Sequence, residues 1–210
     1  YQLVPDVAAA PPTVSADRRT WTFRLRSGFR FSNGDPVRAN AFAQAIHRTM
    51  APGVDSPGYA YTRTIVGAED VHAGKATQAS GVDARRGNTL VVRFTRPVAE
   101  FDAWTTMPFF CAVPPTLQPD REGVRAFPGA GPYYVKEYRP NGRIVIRRNR
   151  YYGGNREHHV DGFDVDLAVT VDTATLYRVY LGRGSLAAAL RACMLTMSGP
   201  RALQRGFGRW

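Results

Sequence analysis

Residues 129–154 place the tightest constraint on what this 210-residue chain can fold into. Two strand-like runs, residues 133–138 and 143–148, are separated by Arg-Pro-Asn-Gly, and Asn-Gly is the strongest short signal for a β-hairpin. In the second run Ile144 and Ile146 alternate with their neighbours, which predicts one apolar and one largely solvated face. Glycines, a proline and several tyrosines flank the hairpin without any obvious catalytic group. We therefore expect residues 129–154 to serve as structural scaffold or as binding surface.

Periodicity on either side of the hairpin predicts a mixed α/β chain. Apolar residues at helical spacing predict an amphipathic helix over residues 38–50, which ends at Ala51-Pro-Gly53. Residues 51–63 and 108–119 read as loops. The other predicted elements are strands at 21–26, 29–31, 89–94 and 162–171, and helical segments at 64–73, 101–107 and from 173.

The charge of the chain is strongly positive, at +11. A basic protein suggests nucleic acid or an anionic membrane as a partner. The distribution weakens that suggestion, because only Lys75 and Lys136 are lysines, and six arginines follow Asp172 without any acidic residue. This pattern is typical of a compositional bias toward arginine, so we expect no nucleic-acid partner. No apolar run approaches the roughly 20 residues that a membrane-spanning helix needs.

The two cysteines, Cys111 and Cys193, lie far apart and outside any Cys-x-x-Cys motif. We expect two free buried thiols, and a disulfide between them stays open.

No residue pattern predicts catalysis, a cofactor or a metal. Gly-x-Ser-x-Gly is absent from the sequence, so serine, histidine and aspartate lack a nucleophile context. His158 and His159 are adjacent, and adjacent side chains diverge in helices and strands, which makes them a poor chelate. His47, beside Ile46 on the predicted helix, favours a surface or core role over that of a ligand. The sequence predicts a protein that is not an enzyme.

Six ordered segments carry a resemblance to a known family. They are residues 21–39 (WTFRLRSGFRFSNGDPVRA), 67–74 (GAEDVHAG), 95–97, 129–134 (GAGPYY), 143–152 (RIVIRRNRYY) and 172–182. Together they resemble the extracytoplasmic solute-binding proteins of ABC transporters, in the oligopeptide-, dipeptide- and nickel-binding family 5. The resemblance covers about residues 1–182.

The resemblance implies a periplasmic-binding-protein-like fold of type II. Residues 1–184 would form its first lobe, with an inserted β-rich subdomain at roughly 35–130, and the second lobe would be largely absent. Residues 185–210 depart from the family pattern and are expected to form a divergent basic tail. Gly129 to Pro132 would let the chain turn between subdomains, and residues 149–152 would pack the end of the hairpin.

The ligand-binding residues that the resemblance implies are aromatic. Residues 56–61 resemble the loop that places a tyrosine on the ligand, which makes Tyr59 and Tyr61 candidate contacts, although both rings could simply cover the loop. Residues 107–112 could form the other wall of the cleft through Phe109, Phe110 and Cys111. Core packing of the two phenylalanines stays an equal alternative.

The function implied is capture of peptides, or a related small solute, for an ABC permease. The protein would be a monomer in the periplasm or anchored outside the cytoplasmic membrane, and it would use no cofactor. The chain opens without a signal peptide, as a mature form or an excised piece would. Two alternatives stay open, a ligand-sensing domain of a transcription regulator and a truncated lobe without function. Since one lobe makes only half of the ligand contacts, we expect weak or no affinity from these 210 residues. The ligand, whether peptide, sugar or nickel, stays open.

Overall fold

The computed structural model describes residues 2–84, 87–120, 125–139, 143–156, 159–166, 168–172, 188, 191–192 and 195–198. The helices are α1 (Ala39–Met50), α2 (Tyr59–Thr62), α3 (Ala68–His72) and α4 (Phe101–Trp104), with a 3-10 turn at Pro108–Phe110. The strands are β1 (Thr13–Val14), β2 (Thr20–Arg24), β3 (Val82–Asp83), β4 (Thr89–Arg93), β5 (Tyr133–Tyr138), β6 (Arg143–Arg148), β7 (Gly162–Asp166), β8 (Ala168–Val171) and β9 (Leu195–Ser198).

The chain divides into two compact units. The first comprises residues 1–134 and 148–159, and the second comprises residues 135–147 and 160–210. The boundary at residue 184 and the β-rich subdomain stay predictions.

The sheet of the first unit is antiparallel, in the order β1-β2-β4-β3. Strand β2 alternates as its sequence predicts, because Trp21 and Phe23 are buried while the other three residues of the strand are not. Trp21 lies opposite Val92 in β4. The indole N–H of Trp21 donates to the Val98 carbonyl at 3.3 Å, so this buried donor is satisfied inside the protein.

Helix α1 confirms the predicted amphipathic helix. Its buried face is built largely from alanines together with Ile46 and Met50. The helix ends where Ala51, extended at φ −61° and ψ 136°, precedes Pro52. This is expected, because a proline disfavours helical backbone in the residue before it.

Phe101 is the centre of the aromatic core of the first unit, with none of its side chain exposed. Five rings meet it edge to face, with centroids 4.9–6.2 Å away: Trp21, Phe23, Phe94, Trp104 and Phe110. Edge-to-face contacts of this kind add about 0.5–1.5 kcal/mol each beyond the area that they bury. Helix α4 is thus anchored through its first residue.

Asn149 joins three stretches of backbone in the first unit. Its side-chain amide donates to the carbonyls of Arg30, Gly129 and Gly131 at 3.0–3.3 Å, and its side-chain oxygen accepts the N–H of Tyr151. The residue is 1% exposed. The predicted packing of residues 149–152 at the end of the hairpin stays a prediction, because these bonds reach other stretches of the first unit.

The tyrosines that follow Asn149 also pack in the first unit. Tyr152 meets Phe29 edge to face at 6.3 Å, beside a small core of Phe29, Phe31, Val37 and Ala41. The Tyr151 ring lies 3.4 Å from where a Cβ on Gly34 would stand, and Gly34 has φ +92°. These aromatics act as scaffold.

The hairpin is confirmed, but its apolar face was predicted wrongly. Strands β5, β6 and β7 form one sheet, in which Val145 of β6 lies opposite Asp164 of β7. Val145 is buried at 4%, whereas Ile144 and Ile146 are only half-buried. Arg143 and Arg147 flank Val145 on its face, and both pair with the Asp164 carboxylate. Val145 is thus buried on the face that alternation assigned to solvent, between two arginines that pair with a cross-strand carboxylate.

Three other predicted elements differ in the structure. Residues 29–31 make only an isolated bridge, Arg30 to Pro36, because the Gly34 turn follows at once. The predicted strand 162–171 is two strands with different partners, since β7 pairs with β6 and β8 pairs with β9. The predicted loop 51–63 contains helix α2. The predicted helix from 173 lies outside the described residues.

Candidate ligand-binding surface

Helix α2, which carries both candidate tyrosines, is fixed against α1 by two buried threonines. The Thr49 and Thr62 hydroxyls are 2.7 Å apart and hydrogen-bonded, with 5% and 0% of the residues exposed. Backbone carbonyls lie within reach of both hydroxyls, Ile46 for Thr49 and Gly58 for Thr62, so the hydroxyl that accepts from the other can donate its own proton to its carbonyl. The pair is therefore satisfied without water, and it holds α2 in one position.

Gly58 lets α2 approach its neighbours closely. A Cβ at this position would lie 2.8 Å from the Thr49 side chain and 2.9 Å from the Phe109 ring. No other residue type could keep this spacing, so Gly58 sets the distance between α2, α1 and the 3-10 turn.

Tyr61 and Phe109, predicted on opposite walls of a cleft, lie together in the structure. The Tyr61 ring stacks with Phe109 at 6.4 Å and meets Trp104 edge to face at 5.5 Å. All three side chains are half-buried and pack on the core of the first unit. We call these three residues, Tyr61, Trp104 and Phe109, the aromatic patch.

Tyr59 lies apart from the aromatic patch. Residues two positions apart on a helix point about 200° away from each other, so one short helix sends Tyr59 and Tyr61 to different sides. The Tyr59 ring stacks on exposed His72 of α3, with centroids 4.0 Å apart and planes at 16°. The two tyrosines therefore occupy separate environments.

Phe110 and Cys111 differ in exposure. Phe110 is 5% exposed and packs on Phe101, so it offers little side-chain surface to a ligand. Cys111 is a free, exposed residue in extended backbone at the end of the 3-10 turn, so the expectation that it is buried is wrong. Neighbouring atoms partly desolvate its sulfur and raise the pKa of the thiol, an effect that the charge of Arg156 opposes. Cys193 lies outside the described residues.

Helix α1 also holds the segment that follows the 3-10 turn. Gln44 donates to the Leu117 carbonyl at 2.8 Å, and Arg48 donates to the carbonyls of Leu117 and Gln118. These long-range bonds fix residues 114–118, which the sequence predicted only as loop.

His47, in the last turn of α1, has one ring nitrogen buried and unpaired. Its Nε2 has no hydrogen-bond partner among the described residues. Burial lowers the pKa of His47, and a hydrogen bond to the Ala79 backbone partly opposes this. The imidazole is therefore favoured in its neutral form, as packing in the scaffold requires.

The described residues offer neither a metal site nor a membrane-spanning helix. Within the described ranges, no group of three His, Cys, Asp or Glu side chains could hold a metal ion. His159 is exposed, and His158 lies outside the described residues. No helix in the described part of the chain is long and apolar enough to cross a membrane.

Two contributors to the candidate surface were missed at the level of sequence. Trp104 stands three residues after Phe101, so one turn of α4 buries Phe101 and leaves Trp104 at the edge of the core. The three-residue spacing from Phe101 is the sequence signal that could have identified Trp104. The stacking of His72 on Tyr59 joins two helices, and no local pattern reports it.

The sequence matches the family model described as bacterial extracellular solute-binding proteins, family 5 Middle, over residues 2–178. The chain belongs to this family. The resemblance drawn from the six segments is thereby confirmed, and so is the coarse prediction of an α/β lobe of the periplasmic-binding-protein type.

Family 5 relatives with known names agree with this membership. The periplasmic oligopeptide-binding protein OppA of Haemophilus influenzae is 31% identical over 148 residues, which are 67% of this chain and 27% of that protein. The periplasmic murein peptide-binding protein MppA of Escherichia coli is 30% identical over 161 residues, 73% of this chain and 29% of that protein.

A solved family 5 structure shows the same fold. The crystal structure of Haemophilus influenzae OppA in complex with the peptide RPPGFSPFR superposes with a TM-score of 0.63 at 27% identity. The match covers 87% of this chain and 36% of that one. The chain thus spans less than a third of the length of the two named relatives.

Proposed function

We propose that this chain is a peptide-capturing part of an ABC transporter's solute-binding protein, acting outside the cytoplasmic membrane. The observation that carries the proposal is the family match over residues 2–178. Relatives that share these residues are named for binding oligopeptides and murein peptides. These names favour transport over the regulator alternative.

The aromatic patch supports the proposal chemically. Aromatic rings offer large contact area at low entropic cost, which suits a protein that accepts varied side chains. The half-buried rings of Tyr61 and Phe109 pack on a rigid core, so they need little ordering when a ligand binds. A surface held in this way is suited to binding, and we propose that the chain has no enzymatic activity and no cofactor.

Within the predicted set of ligand residues, the geometry favours Tyr61 and Phe109 as contacts. Phe110 would support Phe109 from the core, given its own burial. Tyr59 and Cys111 remain proposed contacts through their exposed edges. The ABC permease and a monomeric state belong to the same proposal.

The test is a thermal-shift screen of the purified chain against di- to pentapeptides, nickel and oligosaccharides. A ligand that binds only the folded state raises the melting temperature as its concentration increases. At a concentration 100 times its Kd, the ligand adds about 2.7 kcal/mol to the free energy of unfolding. We expect a saturable rise with peptides. A rise with nickel or oligosaccharides alone would reject peptide capture.

Two variants separate binding from stability. Tyr61→Ala should abolish the peptide-dependent rise. Tyr138→Ala is the matched control, because Tyr138 is an exposed tyrosine of the hairpin, 50% exposed, and not part of the aromatic patch. An equal loss of response in both variants would contradict the assignment of the site.

A further inference from the structure

The tryptophans of the first unit use their indole N–H groups differently. Trp21 donates to Val98 inside the core. Trp104 has no acceptor for its N–H among the described residues, and its nitrogen is not sealed from solvent. The chain therefore satisfies one indole donor and leaves the other available.

Trp104 nevertheless has a fixed ring. It meets Phe101 edge to face at 6.2 Å with planes at 89°, and it meets Tyr61 at 5.5 Å with planes at 65°. The carbonyl of Trp104 also accepts the N–H of Met107 at 3.0 Å, which closes the turn after α4. A ring held from two sides loses little freedom on binding.

From this arrangement we infer that Trp104 is a specificity-determining ligand contact, and that the aromatic patch accepts an aromatic side chain of the bound peptide. This rests on the proposed function. Each of the three rings is half-buried, so an incoming ring can contact their exposed parts and extend the edge-to-face pattern. The free indole N–H donates to a main-chain carbonyl of the peptide.

The Tyr61 hydroxyl strengthens the inference. It too has no partner among the described residues and is not sealed from water. The patch thus combines apolar ring surface with two available donors, the composition of a site that orients a ligand through a few polar groups. An aliphatic or charged side chain would fill the ring surface less well.

The experiment follows the indole N–H signals of the ¹⁵N-labelled chain by NMR during titration with Ala-Phe-Ala and with Ala-Ala-Ala. Three tryptophans give three such signals, and Trp104→Phe assigns the relevant one. We expect both peptides to shift the Trp104 signal saturably. Ala-Phe-Ala should reach saturation at a lower concentration than Ala-Ala-Ala. The Trp21 signal, bonded to Val98, is the internal reference and should stay in place.

Two variants test the two roles of the side chain. Trp104→Ala loses both the N–H and the ring, so it should weaken Ala-Ala-Ala binding about twofold to fivefold and Ala-Phe-Ala binding about tenfold or more. Trp104→Phe keeps a ring without the N–H and should weaken both peptides by about twofold to fivefold. Tyr138→Ala, on the hairpin, should change neither.

The outcomes distinguish this inference from the proposed function. Saturable shifts elsewhere with a fixed Trp104 signal would overturn the inference and leave peptide capture standing. An equal effect of Trp104→Ala on both peptides would also overturn it. No shift in any signal at millimolar peptide, together with a flat thermal-shift screen, would reject peptide capture by this chain and the inference with it.

Discussion

The buried side-chain amide of Asn149 is the hydrogen-bond donor for three backbone carbonyls, those of Arg30, Gly129 and Gly131. Asn149→Asp keeps the shape but replaces the amide donors with a buried carboxylate. We expect a loss of about 3 kcal/mol or more in the free energy of unfolding, because buried groups are left unsatisfied. Urea denaturation at neutral pH measures it.

The control for that variant is Asn33→Ala. Asn33 is an exposed turn residue that hydrogen-bonds only to nearby Asp35, so its loss should change stability by less than about 1 kcal/mol. Equal effects of the two substitutions would show that Asn149 is not a structural centre.

His47 predicts a pH dependence of stability. Since burial lowers the pKa of His47 in the folded chain, the unfolded chain binds the proton more readily. The free energy of unfolding should therefore fall as pH drops below the ordinary value of 6.5, and this contribution should be fully present above it. Urea denaturation at about pH 7.5 and about pH 5.5 brackets the ordinary histidine range. His47→Gln should reduce the difference, and an unchanged difference would exclude His47 as its source.

At the scale of elements, Gly58 controls how α2 docks. Gly58→Ala would place a methyl group within 3 Å of both Thr49 and Phe109. We expect a destabilisation of about 1–3 kcal/mol from overpacking, with displacement of Phe109 from Tyr61. Near-ultraviolet circular dichroism and urea denaturation report the two effects.

Gly131→Ala is the matched control. Its Cβ would meet its nearest neighbour, the Tyr133 carbonyl, at an ordinary 3.6 Å. We expect it to retain the near-ultraviolet spectrum and most of the stability. A Gly58→Ala variant that is as stable as this control would show that the contacts of α2 are looser than the structure indicates.

Elements with a strong local pattern could be predicted from the sequence, and elements set by distant contacts could not. Helix α1 and strands β2, β4, β5 and β6 follow from periodicity and turn residues. Helix α2 has no periodic signal, and it depends on Thr49, Gly58 and Phe109, which lie on or beside other elements. Val145 is likewise buried where alternation favoured Ile144 and Ile146.

The candidate site likewise has features that the sequence predicted and features that it did not. The family resemblance suggested Tyr61 and Phe109, but nothing local indicates that their rings stack or that Trp104 joins them. The separation of Tyr59 from Tyr61 follows from helical geometry only once α2 is known. The sequence therefore predicted two of the aromatic residues of the site, whereas their arrangement in space could be known only from the fold.

At the scale of the whole molecule, we predict weak peptide binding. Solute-binding proteins of two lobes stabilise their closed state by contacts from both lobes, and this chain spans 27% of Haemophilus influenzae OppA. Calorimetric titration with Ala-Phe-Ala should give no submicromolar Kd for these 210 residues. Submicromolar binding would show that these 210 residues are sufficient for tight binding.

The hydrogen bond between Asn149 and Arg30 spans 119 residues of sequence. During synthesis at about 5–20 residues per second, the ribosome needs roughly 6–24 s to add the intervening chain. For that interval the small core around Phe29 and Phe31 has neither Tyr152 beside it nor the amide that closes it. We therefore expect this small core to close late in synthesis, with Phe29 and Phe31 accessible to chaperones until residues 149–152 have emerged.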